Sequence, residues 1–240
     1  MTPRRLDPDT ACRTRYRRLV SRCRRLGLDP VAVARSTHQL SHANGSHREL
    51  DESAFKPTGI ALGCPLPDAR VGRRLWRAAR WVERRLAAQS PHGDAVFAHV
   101  PPDWYHITLV NRAHYRMDNV VSPMTPEEVE QARTIVSRHS RGPIAVCIRG
   151  LILERSGGLF APGYPASDDL YELRSHITEE MPLLARYLPV IAHIKLGHVL
   201  VPLAGEQLKD FLAWLKTCGD LVSARLIFSD AYSPWGRIEL

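Results

Sequence analysis

Apolar positions along the chain change their period at about residue 58, and that change divides the sequence. Between Thr10 and Leu28, Tyr16, Leu19, Val20, Cys23 and Leu26 recur at helical spacing, and Gly27 is placed to end the helix. The opposite face carries arginines from Arg13 to Arg25, either a phosphate-binding arm or, more plainly, a solvated basic surface. A short helix from Pro30 to about Leu40 follows, with proline suited to the first turn. Residues 42–57 are polar, contain Asn44-Gly45-Ser46, and read as a linker.

Beyond the linker, short apolar runs alternate with amphipathic stretches. Gly59 to Cys64, Ala95 to Val100 and Tyr105 to Val110 have strand length, the last two separated by the turn signal Pro101-Pro102-Asp103. Asp68 to Ala88 is a helix with Val71, Leu75, Ala78, Val82 and Leu86 on one face. Thr125-Pro126-Glu127-Glu128 is a helix start, with a capping threonine, a first-turn proline and a glutamate three positions after the cap. Pro143 to Arg155 and Gly158 to Ala161 form a hairpin about Ser156-Gly157-Gly158. A helix from Asp168 to Met181, a long strand from Val190 to Val201 and a helix from Glu206 to Thr217 follow. Leu221 to Phe228 and Arg237 to Leu240 complete the strands. The order of elements suggests a duplicated α+β lobe in 58–240, preceded by a basic helical extension and linker in 1–57.

Charge and composition narrow the class. The 240 residues carry 33 Lys and Arg against 25 Asp and Glu, a net charge of +8 concentrated before about residue 90, which favours polyanionic partners. No apolar run reaches the ~20 residues of a membrane span, and the first residues lack a signal-type apolar stretch, so the expected location is cytoplasmic with no membrane partner. The five cysteines are scattered and odd in number, which argues for free thiols rather than a disulfide framework or zinc ribbon. His38, His42 and His47 have no carboxylate or thiolate at ligand spacing, so no metal and no cofactor is expected. Ser122 and Ser156 lack a nucleophile context.

The candidate chemistry lies in two strand segments, Tyr105-His106-Ile107-Thr108-Leu109 and Ala192-His193-Ile194-Lys195-Leu196. Side chains two apart on a strand share a face, so His106 projects with Thr108, and His193 with Lys195. Apolar neighbours turn the other way, into a core. His198, five residues past His193, falls on the opposite face by the same parity and is read as structural. Arg112 could reach a phosphate, Tyr105 is read as core, and Tyr164 as a loop residue. Residues 111–123 are long and polar enough to line a groove.

The paired His-hydrophobic-Thr/Ser-hydrophobic pattern resembles that of the two-histidine (2H) phosphoesterase superfamily, which includes 2′-5′ RNA ligase-like and cyclic phosphodiesterase proteins. His106-Ile107-Thr108-Leu109 matches fully and the spacing of the motifs is typical, but Lys195 stands where the superfamily has Thr or Ser. The resemblance implies a bilobal α+β fold with two antiparallel sheets forming a concave groove and helices outside. It also implies metal-independent cleavage of a cyclic phosphate or phosphodiester of a nucleotide or RNA end. His106 and His193 would then be catalytic, Thr108 and Lys195 phosphate-binding, and the Arg-rich helices candidate contacts for nucleic acid. Lys195 keeps an alternative open: a non-catalytic RNA- or nucleotide-binding protein.

Overall fold

A computed structural model describes residues 8–34, 59–89, 95–111, 124–182, 184, 191–219, 222–233 and 236–240. His38, His42, His47, the 42–57 linker, Arg112, Ser122 and most of the 111–123 segment lie outside the described residues.

The described residues form, in chain order, α1 (Pro8–Leu26), β1 (Gly59–Leu62), α2 (Ala69–Ala87), β2 (Phe97–His99), β3 (Ile107–Asn111), α3 (Pro126–His139), β4 (Ile144–Arg149) and β5 (Ile152–Leu153). Then come β6 (Gly158–Pro165), α4 (Asp169–Glu180), β7 (Ala192–Val199), α5 (Gly205–Gly219), β8 (Ser223–Phe228), β9 (Asp230–Ser233) and β10 (Gly236–Glu239). A helical turn also begins at Pro30. The helix starts follow the sequence chemistry: the Asp68 side chain accepts from the Arg70 N–H at the head of α2. Thr125 and Glu128 form a reciprocal capping box at the head of α3.

The strands form one mixed-length antiparallel sheet in the order β10-β9-β1-β3-β7-β6-β4-β8, with β2 added to β7 and β5 to β6. The two sheets expected from the sequence are thus halves of one sheet. They meet where Ile107 of β3 pairs with Ile194 of β7. One face is the core: Ile107, Leu109, Val146, Ile148, Ala161, Ile194 and Leu196 pack with the buried stripes of α2 to α5. The other face carries the half-buried polar residues of β3 and β7.

Two strands escaped the sequence pattern. β6 runs on to Pro165 through Pro162 and Gly163, residues that ordinarily argue against a central strand. Pro162 is tolerated in the β6–β7 ladder opposite His193. The other is β9, which with β10 closes the edge beyond β1. Tyr164, expected in a loop, therefore sits on β6, because the strand does not stop at Pro162.

Candidate functional site

Strand alternation is obeyed at both motifs. Tyr105, Ile107 and Leu109 are buried and His106 and Thr108 half-buried; Ala192, Ile194 and Leu196 are buried and His193 and Lys195 half-buried. Carrying the Ile107–Ile194 register one residue each way sets His106 opposite Lys195 and Thr108 opposite His193. The four candidate side chains therefore share one face in a cross-strand quartet. Directly opposed Cβ atoms in such a pair lie about 5 Å apart and diagonal neighbours roughly 7–8 Å, close enough for one phosphate to meet both histidines.

His106 is fixed by a short bond, its Nδ1 lying 2.7 Å from the Trp104 carbonyl oxygen. A carbonyl can only accept, so Nδ1 carries the hydrogen and the neutral ring keeps its lone pair on Nε2. Trp104 ends a 3-10 turn, Pro102–Trp104, so the turn expected between β2 and β3 serves to orient the imidazole. His193 is held differently. Its ring stands edge-on to Phe160 with centroids 4.5 Å apart, and its Nδ1 is buried with no hydrogen-bond partner among the described residues.

The quartet is electrostatically one-sided. Burial lowers the His193 pKa most, and Arg174, His106 and Lys195 add like-charge repulsion, taking it to about 3. His106 is lowered by burial and by Lys195, against the opposing effect of the Trp104 bond. Burial also lowers Lys195, with Glu154 pulling the other way. Both imidazoles are therefore neutral in the free protein at neutral pH, and an anion arriving among these groups would raise all three pKa values.

Arg174, which the sequence reading passed over, is the hidden member of the site. It is 1 % exposed. Its Nε donates to the Leu109 carbonyl at 2.9 Å, and its Nη2 to the carbonyls of Thr108 at 2.6 Å and Ile191 at 3.4 Å. These oxygens lie on β3 and just before β7, so the guanidinium bridges the strands beside the Ile107–Ile194 pair. A signal existed: Leu170, Leu173, Arg174 and Ile177 follow the i, i+3, i+4, i+7 spacing of a core stripe, and only one of the four is charged.

Strand parity misplaced His198. The β6–β7 register shifts between Leu159 and Phe160, pairing Gly158 with His198 and Phe160 with Lys195. This bulge brings His198 round to the Lys195 side, and a Cβ at its partner Gly158 would strike the Phe160 ring. Its ring nitrogen Nε2 is nevertheless engaged by the Ser156 carbonyl at 2.6 Å. Burial and Lys195 lower its pKa to about 4.

The depressed histidines set an acid limb for stability. An unfolded imidazole titrates near 6.5, so below that pH the unfolded chain binds protons that folded His193 and His198 refuse. Their contribution is complete above about pH 6.5 and is lost as pH falls toward the folded values of about 4 and about 3. The thermal midpoint should therefore fall more steeply between pH 7 and pH 4.5 in wild type than in His193→Gln/His198→Gln. Parallel profiles would show that these rings are not the groups responsible.

Helix α1 lies on the same sheet face. Cys12 and Tyr16 form a buried cluster with Ile152, against which Leu19, Val20, Phe160, Tyr164 and Ile191 pack. Phe160 thus touches both this cluster and the His193 ring. The Tyr16 hydroxyl accepts from the Gly163 N–H at 3.1 Å and donates to the Ala192 carbonyl, one residue before His193. Tyr164 is occupied by Tyr16, with ring centroids 5.4 Å apart, and by the Arg13 guanidinium over its ring. Loss of the hydroxyl in Tyr16→Phe leaves buried backbone groups unpaired and should cost ~1–3 kcal/mol, read as a lower urea midpoint at unchanged m. An unchanged midpoint would mean that the clamp contributes nothing.

Among the described residues no group of three or more His, Cys, Asp or Glu is placed to hold a metal ion, and no helix is long and apolar enough to cross a membrane. No family model and no curated protein matches the sequence. Among solved structures the chain is similar to E. coli LigT complexed with 3′-AMP, at 13 % identity and a TM-score of 0.39, covering 72 % of this chain and 82 % of that one. It is also similar to E. coli LigT complexed with NADP+, at 14 % identity and a TM-score of 0.40, covering 72 % and 83 %.

Proposed function

We propose that the protein is a two-histidine phosphoesterase that cleaves a cyclic phosphate or phosphodiester of a nucleotide or RNA end without a metal. The observation that carries this reading is the quartet itself. Two imidazoles, a hydroxyl and an ammonium share one strip of sheet, with the buried Arg174 cation behind them. Such a strip repels protons when empty and attracts an anion of phosphate size.

For a 2′,3′-cyclic phosphate the steps follow from the orientation of the rings. Neutral His106, with its Nε2 lone pair free, takes a proton from water as the water oxygen bonds to phosphorus. The bond from phosphorus to one ribose oxygen breaks, and that oxygen takes a proton from His193. The bound phosphate supplies the negative charge that lets His193 hold this proton, by offsetting the repulsion from Lys195 and Arg174. Thr108 and Lys195 hold the non-bridging oxygens. A lysine can do this as a point charge where a hydroxyl would donate one directed bond.

The test is hydrolysis of a panel of 2′,3′-cyclic nucleotides and 2′-5′-linked oligonucleotides in the presence of chelator. Wild type is expected to turn over at least one of them, and His106→Ala/His193→Ala none. Salt-dependent binding with no product from either protein would favour the non-catalytic binder, the reading that Lys195 keeps open.

A further inference from the structure

Four arginines of α1 differ from most of those of α2 in what they touch. On α2, Arg80 pairs with Glu83 at 2.5 Å and Arg74 donates to the Ser223 carbonyl. Arg77 and Arg84 bond back to their own helix, and Arg85 lies over Trp214. On α1, Arg15, Arg18, Arg22 and Arg25 are all exposed, and none has an ion pair or hydrogen bond among the described residues. They recur at i, i+3, i+7 and i+10, one continuous stripe that flanks the buried face of Cys12 and Tyr16. No carboxylate follows Asp9 in this helix. At 1.5 Å per residue the stripe is about 15 Å long, enough to meet several phosphates of a chain but more than one nucleotide needs.

The docking of α1 gives the stripe its meaning. Tyr16 and Phe160 seat the helix on the sheet face that carries His193, so the row of cations runs along the same side of the molecule as the quartet. The same sheet face continues into exposed Arg149 on β4 and Arg225 on β8, which alternate with the buried Ile148 and Leu226. A basic surface on the far side of the molecule could only raise local concentration. One beside the quartet can hold a chain whose end is being cut.

We propose that the Arg15–Arg18–Arg22–Arg25 stripe of α1 binds the sugar–phosphate backbone of single-stranded nucleic acid, so that the quartet acts on polynucleotide ends in preference to free mononucleotides. The proposal rests on the phosphoesterase reading for its second clause alone, and the binding arm of the test does not require turnover. In that arm, His106→Ala/His193→Ala protein is titrated into a labelled oligoribonucleotide at several salt concentrations, with and without Arg15→Gln/Arg18→Gln/Arg22→Gln/Arg25→Gln. The four substitutions should weaken binding at least tenfold and reduce the slope of log K against log[salt] by about 3, at roughly 0.7 per lost phosphate contact. The charge-reversed pair Arg18→Glu/Arg25→Glu should do the same in kind. In the second arm, the substitutions on a wild-type quartet should lower kcat/KM for an oligonucleotide ending in a cyclic phosphate and leave the cyclic mononucleotide unaffected. Oligonucleotide affinity and salt slope unchanged by both variants would overturn the proposal. So would tight binding of phosphatidylserine vesicles lost in the variants while RNA binding persists, since the stripe would then face a membrane. Loss of RNA binding in a protein that hydrolyses nothing would uphold the backbone site and sink only the hydrolase reading.

Discussion

Under the proposed mechanism, alanine at His106 is expected to lower turnover of a cyclic phosphate by roughly 10²–10⁴-fold, the usual contribution of one positioned proton-transfer group. The loss should fall on kcat, because removing a neutral ring leaves Thr108 and Lys195, the proposed phosphate-binding pair, in place. His193→Ala should lose a similar factor but with a different pH signature. His193 has its pKa held down to about 3 in the free protein, so the proposed acid role requires it to take up a proton when substrate binds. Calorimetry of a non-hydrolysable phosphate analogue in two buffers of different ionisation enthalpy should therefore report proton uptake in wild type and His106→Ala, and much less in His193→Ala. Equal uptake by all three proteins would remove His193 from the acid role, and an unchanged kcat in either alanine variant would remove that ring from the chemistry.

Arg174→Met is expected to be the most damaging single change to stability. It keeps much of the volume but strips three donors from the carbonyls of Thr108, Leu109 and Ile191. Each buried acceptor left unpaired costs ~1–3 kcal/mol, partly offset by no longer burying a charge, so a net loss of roughly 3–5 kcal/mol follows. In a chain of this length each kcal/mol moves the thermal midpoint by about 2–4 °C, so the fall should be on the order of 10 °C or more. Arg174→Lys should recover little of it, since an ammonium cannot reach across two strands as a planar fork does. The electrostatic effect should be visible separately: Arg174 is the second cause of the low His193 pKa, so the His193 ring should titrate higher in Arg174→Met wherever the variant remains folded. A midpoint within a degree of wild type would show that the carbonyls find other partners.

Much of the candidate site was legible because strand alternation is local. His106 and Thr108, or His193 and Lys195, need only two residues of pleat to share a face, and the apolar neighbours announce which way the core lies. Whether two such strands pair is a long-range matter, but the repeated motif supplied that guess, and the Ile107–Ile194 contact places the segments side by side. What stayed hidden depends on interruptions. The bulge opposite Phe160 defeats parity at His198, because one extra residue on β7 turns every later side chain over. β6 was cut short in the sequence reading because Pro162 and Gly163 carry strong local signals that tertiary pairing overrides. Arg174 was overlooked for the opposite reason, since a charged residue in an apolar stripe looks like noise until its carbonyl partners are known. The seating of α1 was not legible at all: its apolar stripe says that it packs, and nothing local says against what.

The Tyr16 clamp also has a consequence for the order in which the molecule can assemble. The hydroxyl and the Ala192 carbonyl are 176 positions apart in the chain. On a ribosome that emits segments in chain order, α1 emerges before β5 and β6, on which it packs, and the Tyr16 hydroxyl waits longer still for the Ala192 carbonyl at the start of β7. Closing so wide a loop adds entropy cost only slowly with length but delays the contact, so the histidine face is among the last parts to be completed. A nascent chain halted before β7 could lay α1 against Ile152, Phe160 and Tyr164 but would lack the Tyr16–Ala192 bond that fixes the helix beside the second histidine strand.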